Sequence, residues 1–216
     1  MLHQLTTIHG KNVTGTPWGV YPRPQMRREN WLNLNGAWDF AVGGPEFSGK
    51  TILVPFCPES ALSGVKEHYP EGTALWYRRK VTLPDGFRQG RVLLHIGAAD
   101  QVAEVSVNGS LLLRHEGGYD AFTVDITEAL LPENEITICC RDDLNDQSFP
   151  YGKQVLPEKR GGMWYTPVSG IWQSVWMESV PETYIRKLHV EIWGASVTIN
   201  TEPALNGFVK VTGLGD

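Results

Sequence analysis

Short runs of alternating polarity, cut at close intervals by turn residues, limit this chain to a β architecture. The 216 residues include 23 glycines and 14 prolines. Between these breaks, apolar side chains recur at every second position, which gives a strand one buried face and one wet face. Leu32, Leu34, Trp38, Phe40 and Val42 flank Asn35-Gly36. Leu75 or Trp76 opens a run that ends near Leu83-Pro84. Val92, Leu94 and Ile96 alternate, as do Val105 and Val107 before Asn108-Gly109 and Leu111 and Leu113 after it. Asn-Gly between such runs predicts a hairpin, because both turn residues take positive φ at little cost. Phe122–Ile126, Ile136–Cys140 and Ile171–Met177 complete the series. The one helical signal is a single turn at Thr127–Leu131, capped by Asp125 or Thr127 and stopped by Pro132.

Many short strands with regular turn signals predict a two-sheet sandwich. Residues 15–181 exceed an immunoglobulin-type unit, so the expected form is a jelly roll with long loops. Pro58–Thr73 and Asp142–Gly162 are loops of the length usually kept for function. A boundary falls near Val180-Pro181. Beyond it Ile185, Leu188, Val190 and Ile192 begin a new strand, and Ser196–Thr201 and Phe208–Thr212 read as two more. Three strands do not close a sandwich. Residues 182–216 are therefore expected to be an incomplete second β domain, and the chain the N-terminal piece of something longer.

Several function classes fall away on composition. The net charge is −5 and no Lys/Arg block occurs, so a nucleic-acid partner is not expected. No apolar run approaches the roughly 18 residues of a membrane-spanning helix. MLHQLTTIHGKNVTG lacks the apolar centre of a signal peptide. A cytoplasmic location is expected, although a secreted form trimmed of its signal would read the same. Cys57, Cys139 and Cys140 are odd in number, and the adjacent pair points to opposite strand faces, so reduced buried thiols are expected.

The chemistry-bearing stretch is Asp142–Glu178. Trp164, Tyr165, Trp172 and Trp176 lie within thirteen positions of one another. Such density suits either sandwich packing or a platform for sugar rings. Lys153 and Gln154, on the loop Pro150-Tyr151-Gly152-Lys153-Gln154, offer donors and an acceptor for hydroxyl groups. His115 follows the Asn108-Gly109 hairpin and is suited to a sugar hydroxyl or, the stronger reading, to a loop carbonyl. Trp31, Trp38, Trp76, Trp172 and Trp176 follow strand patterns and read as packing. Asp142, Asp143, Asn145 and Asp146 have the composition of a hard-cation loop but lack the glycine and distal glutamate of an EF-hand, so a solvated turn is the better reading. No metal site, cofactor or catalytic carboxylate pair is expected. Asp39, Asp85, Asp100, Asp120 and Asp125 adjoin strand ends, where capping is the usual duty.

The order of segments resembles one family. WLNLNGAWDF (31–40), ILVPFCPES (52–60), LWYRRKVTLP (75–84), VSVNGSLLLRHEGGYDAFTVDITEAL (105–130), NEITICCRDD (134–143), GKQ (152–154) and SGIWQSVWMESVPETYI (169–185) follow in sequence. Together they resemble the N-terminal sugar-binding domain of glycoside hydrolase family 2, over about residues 17 to 185. The family holds β-galactosidases, β-glucuronidases and β-mannosidases. The resemblance implies a galactose-binding-domain-like jelly-roll β-sandwich over 15–181, the start of an immunoglobulin-like β-sandwich over 182–216, and a catalytic TIM barrel absent from this chain. It implies that the full-length form hydrolyses terminal β-glycosidic bonds with retention, using two barrel glutamates. Asn134-Glu135 copies the family's catalytic Asn-Glu pair only superficially, since a turn is expected there.

The implied partners are a carbohydrate of the β-galactoside or β-glucuronide class, the barrel, and in the full-length form a second copy of the protein. His115, Lys153, Gln154, Trp164 and Tyr165 are the candidate substrate contacts, with loop bracing or domain packing as the competing duty of each. The family often has Arg where Tyr151 stands. Some β-galactosidases place an aspartate where Gly162 stands, so that residue's role does not carry over. Two other readings remain: a self-standing carbohydrate-binding module, and a structural or assembly domain without a ligand.

Overall fold

The computed structural model describes residues 7–194 and 196–204; the strand expected over Phe208–Thr212 lies outside them. In chain order the strands are β1 (Trp31–Asn33), β2 (Gly36–Val42), β3 (Thr51–Val54), β4 (Leu75–Thr82), β5 (Arg91–Ile96), β6 (Ala99–Asp100) and β7 (Val102–Val107). They continue as β8 (Ser110–Glu116), β9 (Phe122–Asp125), β10 (Glu133–Arg141), β11 (Gly170–Ile171), β12 (Val175–Val180), β13 (Lys187–Trp193) and β14 (Ser196–Glu202). One sheet has the order β3-β2-β4-β10-β7-β8 and the other β1-β12-β5-β9. All of these pairings are antiparallel. No helix among the described residues is long and apolar enough to cross a membrane.

The two sheets face each other across a single core. Phe40, Tyr77, Val105, Ile136, Ile138 and Cys140 from the six-stranded sheet meet Val92, Leu94, Ile96, Val124 and Met177 from the four-stranded sheet. Each such side chain adds about 1.5–3 kcal/mol by leaving water. The alternation read from the sequence produces this layering. In β10, Ile136, Ile138 and Cys140 point inward, while Cys139 lies on the other face opposite Trp76. All three cysteines are free thiols; Cys139 and Cys140 are buried as expected, while Cys57 is half-buried.

Two local expectations need correction. Asn35-Gly36 is not a hairpin turn: β1 pairs with β12 in one sheet while β2 pairs with β3 and β4 in the other. The chain crosses between the sheets there. Asn35 is buried and takes the role of a spacer. Its Nδ2 donates to the Pro17 carbonyl (3.2 Å) and Ser174 Oγ (3.2 Å), and its Oδ1 accepts from the Val175 amide (2.9 Å). Gly36 has φ +117°, a region that L side chains rarely adopt. Asn134-Glu135 is the second correction, since it lies in β10 rather than in a turn. The Asn134 side chain bonds the Leu131 amide and carbonyl and the Asn108 amide group, which is a bracing duty.

The Asn108-Gly109 hairpin forms between β7 and β8 with φ of 51° and 81°. The helical turn expected at Thr127–Leu131 is a 3-10 turn at Thr127–Ala129, where Asp125 Oδ1 accepts from the Thr127 amide (3.1 Å) and hydroxyl (2.5 Å); short helical segments that were not expected lie at Ile8–Lys11, Pro24–Met26, Ala61–Ser63 and Pro157–Lys159. Residues 17–28 form a strap over the outer face of the four-stranded sheet. Its anchor is Glu178, 1% exposed, which receives the Tyr21 hydroxyl, the Arg23 guanidinium and His95 Nε2 (3.1 Å). Arg28 Nη2 then reaches the Ile185 carbonyl (2.8 Å), joining the strap to the segment that leads into β13. β13 and β14 pair as a hairpin whose apolar row, with Val190 opposite Ile199 and Ile192 opposite Val197, faces solvent.

Candidate functional site

The loop 142–169 is rooted in the core by one side chain and exposes others at its tip. Gln154 is buried at the root. Its Nε2 donates to Asp100 Oδ2 (2.9 Å) and its Oε1 accepts from the Val168 amide (2.5 Å). An isolated parallel bridge joins Gln154 to Tyr165: the Tyr165 amide donates to the Lys153 carbonyl (2.9 Å) and the Val155 amide to the Tyr165 carbonyl (3.2 Å). The chain turns back at Gly161-Gly162, where Gly162 has φ +59° and the Trp164 amide reaches the Gly161 carbonyl (3.1 Å). This turn presents Trp164 at 41% and Tyr165 at 62% exposure, and Lys153 is exposed beside them in the pairing. A cavity of about 450 Å3 lies elsewhere, between Met26 and the β13–β14 hairpin. One of about 220 Å3 is walled by Leu144, Gln147, Tyr151, Gln154, Val155 and Lys159, within the loop itself.

The five sequence-derived candidates therefore separate. Lys153, Trp164 and Tyr165 come together on one exposed loop segment. Gln154 sits beneath them with its amide group already committed. His115 is elsewhere: its ring stacks on Phe122 at 4.1 Å between centroids, and Nε2 lies 3.1 Å from the Gly117 carbonyl. Trp172 packs edge-on against Tyr119 and donates its indole N–H to the Gly118 carbonyl (2.8 Å).

Sequence reasoning missed a buried acidic cluster under the loop. Glu59 Oε1 accepts the Ser169 hydroxyl (2.8 Å) and faces His68 Nδ1 (3.2 Å). His68 Nε2 faces Glu71 Oε1 (3.2 Å). Asp142 is 9% exposed and turned toward Ser169, so it is not part of a solvated turn. The rest of that acidic run does form solvent-side turns, with Asp143 capping Asn145 and Asp146 capping Ser148. Burial, reinforced by the charges of Asp100, Glu71 and Glu59, pushes Asp142 up to about 8. Burial also raises Asp100, to about 6, against the pull of its bond from Gln154. One signal for Asp142 was present: it continues the parity of Ile136, Ile138 and Cys140, so its side chain leaves β10 on the inward side.

The cluster does not have the access that glycoside hydrolysis needs. A retaining pair must flank a glycosidic bond in an open cleft. The cavity beside Asp142, Glu71 and Ser169 holds about 10 Å3, room for at most one water. Among the described residues, no group of three or more His, Cys, Asp or Glu side chains is arranged to hold a metal ion.

Comparisons with known proteins agree with this geometry. Residues 63–192 match the family model described as glycosyl hydrolase 2 galactose-binding domain-like. A β-glucuronidase of Paenibacillus borealis is 37% identical over 151 residues, covering 62% of this chain and 24% of that protein. A β-galactosidase of Thermoanaerobacter pseudethanolicus is 30% identical over 168 residues, covering 74% of this chain and 21% of that protein. The chain thus spans about a quarter of the length of the curated relatives it matches. Among solved structures, a Ruminococcus gnavus β-glucuronidase in complex with uronic deoxynojirimycin superposes with a TM-score of 0.61 at 22% identity, over 83% of this chain and 35% of that one. A Faecalibacterium prausnitzii β-glucuronidase gives 0.59 at 23% identity, over 84% and 37%. These likenesses establish the fold. With the model match covering more than half of its residues, the chain belongs to the glycosyl hydrolase 2 galactose-binding domain-like family.

Proposed function

We propose that this chain is the non-catalytic, sugar-facing N-terminal region of a retaining β-glycosidase acting on β-glucuronides. Residues 15–181 form its jelly-roll domain and 182–216 begin an immunoglobulin-like domain. The two catalytic carboxyls belong to a barrel outside this chain. The observation that carries the reading is the exposed group Lys153, Trp164 and Tyr165 on a loop whose root is buried. Aromatic faces suit the apolar face of a pyranose, and an ammonium suits a uronate carboxylate. Glucuronidase names predominate among the relatives and neighbours, which supports the uronic class over the galactoside class. The open apolar row on β13–β14 supports a second domain that continues past the described residues.

In the full-length protein, Trp164→Ala and Lys153→Ala are each expected to raise KM for an aryl β-glucuronide about tenfold, equivalent to about 1.4 kcal/mol. They should leave kcat within about twofold, because the loop touches substrate away from the reacting bond. Unchanged KM in both variants would overturn the reading. The chain alone is expected to release no aglycone. A saturable tryptophan-fluorescence response of the isolated chain to glucuronic acid would favour the self-standing binding module instead.

A further inference from the structure

The loops 57–73 and 142–169 are joined by charge-sharing side chains, with no strand pairing between them. The first contributes Glu59, His68 and Glu71. His68 lies between two carboxylates: Nδ1 is hydrogen-bonded to Glu59 Oε1 at 3.2 Å, and Nε2 is 3.2 Å from Glu71 Oε1, which has no hydrogen-bond partner. The second loop contributes the Ser169 hydroxyl to Glu59 Oε1 (2.8 Å) and the Leu144 amide to Glu71 Oε2 (2.5 Å). The Gly72 amide crosses back to the Asp142 carbonyl (2.6 Å). Gln154, further along the second loop, holds Asp100 of β6.

Asp142 has no donor of its own in this arrangement. Its Oδ2 is 3.5 Å from Ser169 Oγ, whose single proton goes to Glu59 at the shorter distance. Around it stand Glu59 and Glu71 from the first loop, Asp100 from β6 and Cys140 from β10. Tyr69 lines the same small cavity, but its hydroxyl is engaged with Glu67 and Lys50. Tyr77 from β4 is fully buried, close enough to feel Glu59, Cys57 and Cys140, and its hydroxyl is unpartnered. Among the described residues, no Lys or Arg makes an ion pair with Glu59, Glu71, Asp100 or Asp142; the basic side chain beside them is His68. Four carboxyls packed together with no Lys or Arg partner stay together only if protons supply the missing positive charge.

We propose that this cluster is a proton-gated clamp on the loop carrying Lys153, Trp164 and Tyr165, closed while Asp142 and Asp100 hold protons and loosened as they ionise. What the loop does when held rests on the sugar-facing reading above; the clamp itself does not. The shifts of Asp142 to about 8 and Asp100 to about 6, from an ordinary 3.8, agree with the geometry. The sign follows from linkage. The closed loop keeps each proton to a higher pH than the open loop does, so opening releases protons and is favoured as pH rises. For Asp142 the window runs from about 4 to about 8, at about tenfold in the opening constant per pH unit, and the dependence ends above the closed-state value.

Amide hydrogen exchange of the chain without sugar, corrected at each pH for the intrinsic chemical rate, tests this. The reporters are the bonded amides of Val155, Tyr165 and Val168. Their protection is expected to fall about tenfold between pH 6.5 and 7.5 and to level off above about 8.5. In Asp142→Asn the fall over that range should vanish. An equal fall in the variant, or a flat profile in the unmodified chain, would sink the proposal. If the variant does not fold, carbon NMR of the Asp142 carboxyl in the unmodified chain takes its place: titration near pH 8 supports the clamp, and titration near pH 4 refutes it. Because no sugar is present, failure here leaves the KM prediction standing, and failure there leaves the clamp standing.

Discussion

Glu178 shows how one residue can fix a segment remote in sequence. Burial alone would raise its carboxyl, but hydrogen bonds from His95 and Tyr21 and the Arg23 charge outweigh burial and hold it at about 2. His95 is itself lowered, chiefly by burial, and its Nδ1 contacts Thr123 Oγ1 at 2.8 Å. The Arg23 guanidinium also lies 5.8 Å from the centroid of the Trp176 ring. A depressed folded value means that the stabilisation is complete above the ordinary 4.5 and is lost as pH falls from there toward 2. Glu178→Ala strands Arg23 beside a buried histidine and is expected to cost about 3–5 kcal/mol in urea unfolding at pH 6. Glu178→Gln should cost less, and its deficit should shrink when both proteins are compared at pH 3. A constant deficit would show that the charge is not what holds the strap. Nothing in the sequence marks Glu178, because its three partners come from two segments remote from it, the strap and β5.

At the scale of elements, local chemistry explains the turns that close on themselves and fails where the partner is distant. Asn108-Gly109 makes a hairpin because two adjacent strands, β7 and β8, need a tight reversal. Asn35-Gly36 carries the same dipeptide, but Asn35 is tied to Pro17, Ser174 and Val175, and the chain passes to the other sheet. Gly36→Ala is expected to destabilise the chain by about 1–2 kcal/mol, since it forces a side chain to φ +117° with Arg79 Nη1 and Thr16 Oγ1 each 3.4 Å from the new Cβ. Urea midpoints would check this, and an unchanged midpoint would mean that the crossing can relax. The short strands β3 and β6 were not legible as strands, because runs of two to four residues carry too little periodicity, and the one strand expected over Ile171–Met177 is two, β11 and β12.

Over the whole molecule, the two kinds of carboxyl pull stability in opposite directions with pH. Glu178 stabilises fully above about 4.5, while Asp100 and Asp142 lose their favourable protons as pH rises toward 6 and 8. Thermal unfolding is therefore expected to show its highest midpoint on the acid side of neutrality, near pH 5. A maximum at pH 8 would contradict the assignment of Asp100 and Asp142. The β13–β14 hairpin adds little to this sum, since its apolar row is open to solvent. Ile192, 70% exposed, should tolerate substitution by Lys with less than about 0.5 kcal/mol of change in sandwich stability. The same substitution should lower binding of a hydrophobic dye to that row.

The sequence alone determined the strand alternation, the single large sandwich, the length and position of the two long loops, and the family. All of these rest on local signals: parity, turn dipeptides and the order of motifs. It also picked out Lys153, Trp164 and Tyr165, which the loop presents together. Only the tertiary structure decided which polar residues are buried. Gln154, Glu59, Asp142 and Glu178 owe their environments to neighbours from other segments, brought there when the two sheets close on one core. Burial depends on what covers a side chain, and for these four the cover comes from distant parts of the chain.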